Sequence, residues 1–341
     1  RGDSFPTMLS WLVSAAGAVL LAFTAYNVFA FVQQHFLRSR NSLRKYGAGR
    51  GAWAVVTGAS GGIGKEFALE LARRKFNIVL ISRSKERMQP VADELKGKGA
   101  EVQLIEFDFG VPNAADYKRL IDQLKTLDIG LLVNNVGVNI PYPEFFLDHT
   151  QHDFESMLNT NIRSVHQMTH GLLPQLVARN GAGVITVSSQ SARPVPAAML
   201  SVYAGTKAYL LAFGESLATE YKRNNVDVVT IIPSMTVSNM TKRSRATLDC
   251  PLPSAVVRPT LDSLGSGQMI LQPYWFHHVM EYAHPSRSPH SSQYRHVLYP
   301  PHNAWREDSF DAQGCARQVD EEVRRAQCKM NEHDRSMAKK K

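Results

Sequence analysis

The chain has 341 residues, 44% of them hydrophobic, which is enough for one large α/β domain with appended segments. Its three cysteines are too few for a disulfide framework and form no C-x-x-C pair, and its twelve histidines show no paired ligand spacing, so no metal site is expected. The net charge of +9 favours a membrane surface or an ordinary solvated face over a nucleic acid, because no aromatic residues interleave with the basic ones.

The first predicted element is a transmembrane helix. No charged side chain occurs between positions 8 and 32, and this apolar stretch is long enough to cross the roughly 30 Å hydrocarbon core of a bilayer. A secretory signal peptide is the alternative, but the stretch lacks a basic start and a small-residue cleavage site. Basic residues follow the helix, so the positive-inside rule predicts that the main domain lies in the cytosol.

A glycine-rich turn follows the first predicted strand, at 53–56. The turn reads TGASGGIG over 57–64, and an amphipathic helix pattern opens directly after it. We expect Gly58 and Gly62 to let the backbone approach a pyrophosphate, and Gly64 to let the helix pack close to the sheet. The turn therefore predicts a dinucleotide site with these contacts: Thr57, Gly58, Ser60, Gly62, Ile63 and Gly64.

The residues after the second predicted strand, at 77–81, distinguish between the two nicotinamide cofactors. NAD-preferring folds tend to carry a carboxylate at this point, and here the chain reads Ser82-Arg83-Ser84. A carboxylate would repel a 2′-phosphate, whereas the Arg83 guanidinium would bind it. The pattern predicts NADPH as the cofactor, with Lys65 as a second source of positive charge.

The remaining predicted elements continue an alternation of strands and helices. A third strand at 102–109 ends near Asp108, which we expect to accept a hydrogen bond from the adenine amino group. A fourth strand at 130–133 runs into Asn-Asn-Val-Gly. A long helix near 151–179 and strands at 184–187 and 228–232 complete the pattern. This alternation predicts an α/β fold with a doubly wound parallel sheet of the Rossmann type.

Tyr203 and Lys207 stand four residues apart on a predicted helix, so they share one helix face. A phenol has a reference pKa of about 10, and a nearby ammonium would lower that pKa and make proton transfer to a carbonyl oxygen feasible. The preceding strand ends in Ser188-Ser189, and a serine hydroxyl near the same oxygen would orient the carbonyl. The pattern predicts carbonyl chemistry with a hydride from a nicotinamide.

Four motifs in this order resemble the short-chain dehydrogenase/reductase family: the glycine turn at 57–64, the Asn-Asn-Val-Gly motif at 134–137, Ser189, and the pair Tyr203 and Lys207. The resemblance covers about residues 50–275. It implies Tyr203 as the general acid, Lys207 as the ribose-binding partner that lowers the phenol's pKa, and Ser189 as the hydroxyl that orients the carbonyl.

The same resemblance implies further site residues. Asn161 would be the helix asparagine that holds a proton-relay water. The spacing from Ser189 to Tyr203 is one residue longer than is usual in the family, which requires an insertion and leaves Ser191 open as the catalytic serine. Besides the glycine turn, the implied cofactor contacts are Arg83, Asp108, Asn135, Tyr203, Lys207, Pro233, Thr236 and Ser238.

A second set of motifs is similar to one subgroup of that family. Asn-Asn-Val-Gly, the N-terminal membrane segment, and the stretches at 238–242 and 272–275 resemble the microsomal very-long-chain 3-oxoacyl-CoA reductases of fatty-acid elongation and their 17β-hydroxysteroid dehydrogenase relatives. The resemblance implies NADPH-dependent reduction of a long-chain acyl-CoA at the endoplasmic-reticulum membrane, beside other elongation enzymes. The alternatives are a microsomal steroid or retinoid dehydrogenase, and an inactive nucleotide-binding membrane scaffold.

Two segments near the C-terminal end of the expected domain have open interpretations. Lys242, Arg243 and Arg245 would meet the phosphates of coenzyme A, or they form a solvated basic face. Residues 269–282 are a short strand followed by a membrane-touching segment, or by an ordinary packed helix. The predicted domain boundaries are an anchor with its basic flank over 1–45, an NADP-binding domain over 46–284, and a tail over 285–341, for which disorder is one interpretation.

Overall fold

The computed structural model describes residues 8–193 and 197–283. The tail predicted at 285–341 lies outside the described residues. Within the described ranges, seven strands form one parallel sheet in the order β3-β2-β1-β4-β5-β6-β7. Their bounds are β1 Trp53–Thr57, β2 Asn77–Ser82, β3 Val102–Glu106, β4 Ile129–Asn134, β5 Ala182–Val187, β6 Val226–Ile231 and β7 Ile270–Leu271. The chain starts at the centre and winds to both edges, which confirms the predicted doubly wound fold.

Helices cover both faces of the sheet. Their bounds are α1 Met8–His35, α2 Gly62–Arg73, α3 Lys85–Lys96, α4 Ala114–Leu124, α5 Gln151–Met157, α6 Ser164–Arg179, α7 Ser201–Tyr221, α8 Ser254–Ser263 and α9 Trp275–Ala283. Successive residues of a strand point to opposite faces, so Val56 packs with the layer of α2, α3 and α8 while Val55 packs with the layer of α4, α6 and α7.

Two predicted boundaries change in the structure. The third strand ends at Glu106 and not at 109, and Asp108 follows it in a turn in which its carboxylate accepts a hydrogen bond from the Gly110 N–H at 2.8 Å. The long helix near 151–179 consists of α5 and α6 joined by a π-helical segment, Leu158–Arg163. Such a segment is frequent at functional sites, and this one contains Asn161.

Helix α1 carries the predicted membrane span. Its residues Ser10–His35 have a mean hydropathy of 1.9 over the most apolar window, and none of that window is buried inside the protein. In the part of the chain that the structure describes, this is the one helix long and apolar enough to cross a bilayer. The N-terminal apolar helix predicted from sequence is therefore present.

Candidate active site

The glycine turn between β1 and α2 is built by close backbone approaches. Gly58 has a φ of +66°, and a Cβ there would lie 2.9 Å from the Val136 Cα, so only glycine fits. A Cβ on Gly64 would lie 2.3 Å from the Gly58 carbonyl oxygen, so the first turn of α2 packs directly on the loop. The helix N-terminus is thereby held at the turn, where a phosphate would meet its N–H groups.

The loop after β6 lies over this turn. A Cβ on Gly62 would come within 3.1 Å of the Ser238 Cβ, although the two residues are far apart in sequence. The loop is stiffened by the Thr241 hydroxyl, which donates to the Thr236 carbonyl at 2.8 Å, and by the Thr236 hydroxyl, which donates to the Ser234 carbonyl at 3.3 Å. Ser238, a predicted cofactor contact, therefore stands beside the glycine turn, and Thr236, another predicted contact, lies in the same loop.

Thr57 and Asn135 join the ends of β1 and β4. The Thr57 hydroxyl donates to the Val133 carbonyl at 3.2 Å and accepts from the N–H groups of Asn135 at 3.0 Å and Val136 at 3.1 Å. The Asn135 amide donates to the carbonyls of Thr57 at 2.9 Å and Gly58 at 3.2 Å. These bonds hold the two loops at a fixed separation, so Asn135 shapes the turn itself.

The residues predicted to contact the adenosine half lie at the ends of β2 and β3. Arg83 directly follows β2 and is exposed, as is Asp108 after β3. Ser60 accepts a hydrogen bond from the Ser82 hydroxyl at 3.2 Å, which connects the glycine turn to β2. Lys65 pairs with Glu94 of α3 at 3.3 Å, so its charge is already partnered and Arg83 is the better candidate for a 2′-phosphate.

Ser189 and Tyr203 meet at the carboxyl end of β5. They share a hydrogen bond, and Tyr203 is half-buried in the first turn of α7. The Ser191 hydroxyl donates to the Ser189 oxygen at 2.9 Å, and the Ser191 N–H donates to the same oxygen at 3.1 Å. Ser189 is thus the serine that contacts the phenol, and Ser191 holds the Ser189 hydroxyl through these two hydrogen bonds.

Lys207 lies one helical turn after Tyr203 and is buried. Its ammonium donates to the Val187 carbonyl at 3.0 Å and lies 5.7 Å from the Tyr203 ring centroid. Burial lowers the pKa of Lys207 to about 8. The pKa of Tyr203 is raised and not lowered as the sequence predicted, because burial of the phenol outweighs its hydrogen bond with Ser189.

Asn161 connects the π-helical segment to the other site elements. Its side-chain oxygen accepts from the Val138 N–H at 2.8 Å, and its amide donates to the Val138 carbonyl and the Thr206 hydroxyl, both at 3.0 Å. A Cβ on Gly137 would lie 3.2 Å from the Lys207 ammonium and 3.4 Å from the Asn161 oxygen. The glycine that ends Asn-Asn-Val-Gly therefore lets the β4 loop reach the site.

Sequence reasoning missed the part played by His277 of α9. Its Nε2 donates to the Asp249 carbonyl at 2.9 Å, because a carbonyl only accepts, so Nδ1 accepts from the Ser234 N–H at 3.2 Å. Burial lowers the pKa of His277 and favours this neutral form. The Gln190 side chain donates to the His277 carbonyl at 3.2 Å, and the Gln190 N–H donates to the Pro233 carbonyl at 2.9 Å. No local spacing reveals these long-range partners.

The two serines can be separated by substitution. We expect Ser189→Ala to lower the turnover of carbonyl reduction by roughly a hundredfold, because a hydrogen-bond donor to a developing oxyanion typically contributes this much. Ser191→Ala is the matched control and should cost less than about tenfold, since it removes one supporting hydrogen bond. The measurement is kcat for both variants at saturating substrate. Equal losses would contradict the assignment of Ser189.

The titration of Lys207 predicts a pH profile. Below its pKa of about 8 the side chain is an ammonium, and above it the charge that would stabilise a Tyr203 phenolate is lost. We therefore expect kcat for reduction to fall as the pH rises through about 8. In Lys207→Arg the guanidinium keeps its charge over this range, so any remaining activity should not fall there. A wild-type kcat that stays level to about pH 10 would contradict the role of Lys207.

Comparisons with known proteins show the family of this chain. A family model described as short chain dehydrogenase matches residues 52–249. The very-long-chain 3-oxoacyl-CoA reductase of Laccaria bicolor is 33% identical over 283 residues, which cover 80% of this chain and 83% of that protein. The very-long-chain 3-oxoacyl-CoA reductase-B of Danio rerio is 37% identical over 267 residues, covering 77% and 84%.

Solved structures show the same fold. A short-chain dehydrogenase from Sphingobium yanoikuyae in complex with NADPH superposes with a TM-score of 0.59 at 21% identity, covering 76% of this chain and 97% of that one. A 7beta-hydroxysteroid dehydrogenase superposes with a TM-score of 0.66 at 21% identity, covering 76% and 99%. At this identity the likeness concerns the fold.

Proposed function

The chain belongs to the short-chain dehydrogenase/reductase family, and from that membership we propose that it reduces the 3-carbonyl of a very-long-chain 3-oxoacyl-CoA to a hydroxyl with NADPH. It is an oxidoreductase. The observation that carries the chemistry is the Tyr203 phenol, which shares a hydrogen bond with Ser189 and stands beside the buried Lys207. The substrate class comes from the names of relatives that cover most of this chain.

The glycine turn fits the pyrophosphate of the cofactor. A Cβ added to Gly61 would meet no atom within 4 Å, so the backbone faces open space where α2 begins. The N–H groups of the first helical turn are available to an anion there. Arg83 is exposed at the end of β2 and has no ion pair among the described residues, which suits a 2′-phosphate.

The proposed mechanism assigns one task to each site residue. Bound NADPH supplies the hydride that the carbonyl carbon accepts. Tyr203 is protonated at neutral pH and transfers its proton to the carbonyl oxygen, although burial raises the pKa of the phenol and so opposes its ionisation. Ser189 donates a hydrogen bond to the same oxygen, and the Lys207 ammonium stabilises the phenolate that remains. Asn161, whose side chain is bonded to Val138 and Thr206, would position a water through which a proton returns.

Arg83 should set the preference for NADPH over NADH. A charge-assisted hydrogen bond contributes about 1.5–3 kcal/mol, so Arg83→Ala should weaken NADPH binding by roughly ten- to a hundredfold and leave NADH almost unchanged. Arg87→Ala is the matched control, because Arg87 is also exposed and lies in the first turn of α3. Fluorescence titration with both cofactors gives the dissociation constants. Equal losses for NADPH and NADH would show that Arg83 has only a structural role.

The loop after β6 supports the acyl-CoA assignment. Lys242, Arg243 and Arg245 have no carboxylate in ion-pair contact among the described residues. The Lys242 ammonium lies 3.7 Å from the ring centroid of Tyr142, on the loop after β4. The loops after β4 and β6 therefore meet at the opening of the site, and the three basic side chains lie on the second of these loops. Such groups suit the phosphates of coenzyme A.

An assay with two substrates tests the function. The full-length protein in detergent is given NADPH and either a long-chain 3-oxoacyl-CoA or a 17-keto steroid, and products are identified by mass spectrometry. We expect a 3-hydroxyacyl-CoA as the product of the acyl-CoA substrate. The Tyr203→Phe variant gives the background rate. Turnover of the steroid alone would replace the proposal by a steroid dehydrogenase. Nucleotide binding without turnover of either substrate would favour the scaffold.

We further propose that α1 anchors the protein in the endoplasmic-reticulum membrane, with the catalytic domain in the cytosol and beside other elongation enzymes. The apolar span Ser10–His35 and the basic residues after it support this orientation. Protease added to intact microsomes should digest the domain that contains Tyr203. The chain contains a glycosylation sequon, Asn239-Met240-Thr241. Protection of that domain from protease, or glycosylation of Asn239, would place it in the lumen instead.

A further inference from the structure

The carboxyl ends of the parallel strands share one edge of the sheet, here called the carboxyl edge. Ser189 follows β5 there, and the loops after β4 and β6 rise from the same edge. The opposite amino edge consists of the connections that lead into the strands. The position of the membrane helix relative to these two edges determines which way the site faces.

Helix α1 leaves the domain beside the carboxyl edge. Gln34 donates to the carbonyl of Gln272, the residue after β7, at 3.0 Å. His35 and His278 of α9 share a hydrogen bond of 2.7 Å, and the ring centroid of Phe36 lies 6.3 Å from that of Trp275. The residues of the chain that follow β7 are therefore the ones that the end of the membrane helix contacts.

The next residues of the chain run along β7 toward the amino edge. Arg38 donates to the Gln268 side chain at 3.1 Å, and Gln268 also donates to Gln34 at 3.0 Å. Asn41 donates to the carbonyl of Leu264 at 2.8 Å, farther ahead of β7. As the chain runs from Gln34 to Asn41, its contacts pass from a residue that follows β7 to residues that precede it. The membrane span, which comes before these residues, therefore projects outward from the carboxyl edge.

Exposed apolar side chains gather at this edge. Leu147 on the loop after β4 is 91% exposed, and its neighbour Phe146 is 58% exposed. On the loop after β6, Met240, Leu248 and Leu252 are each more than half exposed. In the described residues, the amino-edge connections at 74–76, 97–101, 125–128, 180–181, 222–225 and 264–269 contain no exposed large apolar side chain. The connection into β1 contains two, Phe36 and Leu37, directly after α1. We call the five exposed residues of the β4 and β6 loops the mouth surface.

The mouth surface is connected to the helix that meets the anchor. His277 of α9 bonds Ser234 and Asp249 of the β6 loop, and its neighbour His278 contacts α1. The Lys242 contact with Tyr142 joins the β6 loop to the β4 loop. Apolar side chains with lysine and arginine among them are typical of segments that lie in the boundary between headgroups and acyl chains.

We propose that the mouth surface rests on the lipid surface that α1 enters, so that the active site opens toward the bilayer. The proposal rests on the proposed anchoring by α1. Continuity with the membrane helix favours lipid over a second protein copy as the cover of these side chains. A long acyl chain held in the bilayer would then reach Tyr203 without crossing water.

Photolabelling of the full-length protein in phosphatidylcholine vesicles tests this arrangement without any substrate. The probe is phosphatidylcholine with a diazirine near the carboxyl end of one acyl chain, and peptide mass spectrometry locates the labels. We expect segments 142–149 and 240–252 to be labelled at least about tenfold above the amino-edge segment 222–225. We expect the same excess of labelling for α1. Leu147→Asp should remove most labelling of 142–149.

A matched control and two outcomes complete the test. Val111→Asp also changes an apolar residue that is 74% exposed, but it lies after β3, at the far end of the sheet from β7, so labelling of 142–149 should not change. If α1 is labelled but segments 142–149 and 240–252 are labelled no more than 222–225, the inference about the mouth surface is overturned and the anchor proposal stands. Absence of label from α1 would overturn the anchor proposal itself.

Discussion

Replacing Tyr203 by phenylalanine is expected to lower the turnover of carbonyl reduction by at least about a thousandfold. A positioned general acid contributes roughly 10²–10⁴-fold, and this phenol is the group that Ser189 contacts directly. Phenylalanine keeps the ring and its packing in the first turn of α7, so only the proton donor is lost. The measurement is kcat from NADPH oxidation, with NADPH affinity determined in parallel and expected to remain unchanged.

The same helix offers the control for this substitution. Tyr209 lies on α7 six positions after Tyr203, and its hydroxyl bonds His166 on the protein surface. Tyr209→Phe removes an equivalent hydroxyl away from the site and should leave kcat within about twofold, as surface substitutions usually do. Near-normal turnover of Tyr203→Phe would remove this phenol from the mechanism.

The fold was predictable because its signals are local. Each central strand is a short apolar run that ends in a turn, as with β1 and the glycine turn, and each following helix has one apolar face. The pairing of Tyr203 with Lys207 also needs only helical spacing. Gly64 shows why the motif is informative: a side chain there would strike the Gly58 carbonyl, so the glycine marks a real close approach.

The features that sequence did not reveal depend on contacts between distant segments. The connection between Ser189 and Tyr203 includes Met199, which takes a φ of +64° and whose carbonyl accepts from the Glu144 N–H at 3.0 Å. In this arrangement Ser189 is the serine that contacts the phenol, which the residue spacing left open. The direction of the Tyr203 pKa shift likewise depends on burial, which residue spacing does not show.

The segment that joins the membrane helix to β1 is part of the folded domain. Leu43 is fully buried and Tyr46 nearly so. A Cβ on Gly130 would lie 1.8 Å from the Tyr46 carbonyl oxygen, and one on Gly265 would lie 2.6 Å from its hydroxyl. Two glycines therefore leave space for Tyr46. The boundary predicted between the anchor and the domain, at residues 45 and 46, falls inside this segment. Exposed basic residues and buried residues stand side by side there, so the sequence shows no clear change of character.

The Tyr46 side chain should accordingly be a large contributor to stability. Its hydroxyl donates to Asp227 at 2.8 Å, and burial raises the pKa of the phenol, so it remains a neutral donor. Tyr46→Ala is expected to lower the free energy of unfolding by about 3–5 kcal/mol, as large aromatic truncations in cores do. Urea unfolding in detergent, followed by fluorescence, measures the change.

Two further variants separate the causes of that loss. Tyr46→Phe keeps the buried ring and removes the bond to Asp227, so it should cost about 1–3 kcal/mol. Arg44→Ala changes an exposed neighbour and should stay within about 0.5 kcal/mol. If Tyr46→Ala were as mild as Arg44→Ala, the segment would be a tether and not part of the core. If Tyr46→Ala costs the most and Arg44→Ala the least, removal of residues 1–37 should leave the domain folded. Removal of residues 1–46 should also remove side chains that pack in its core.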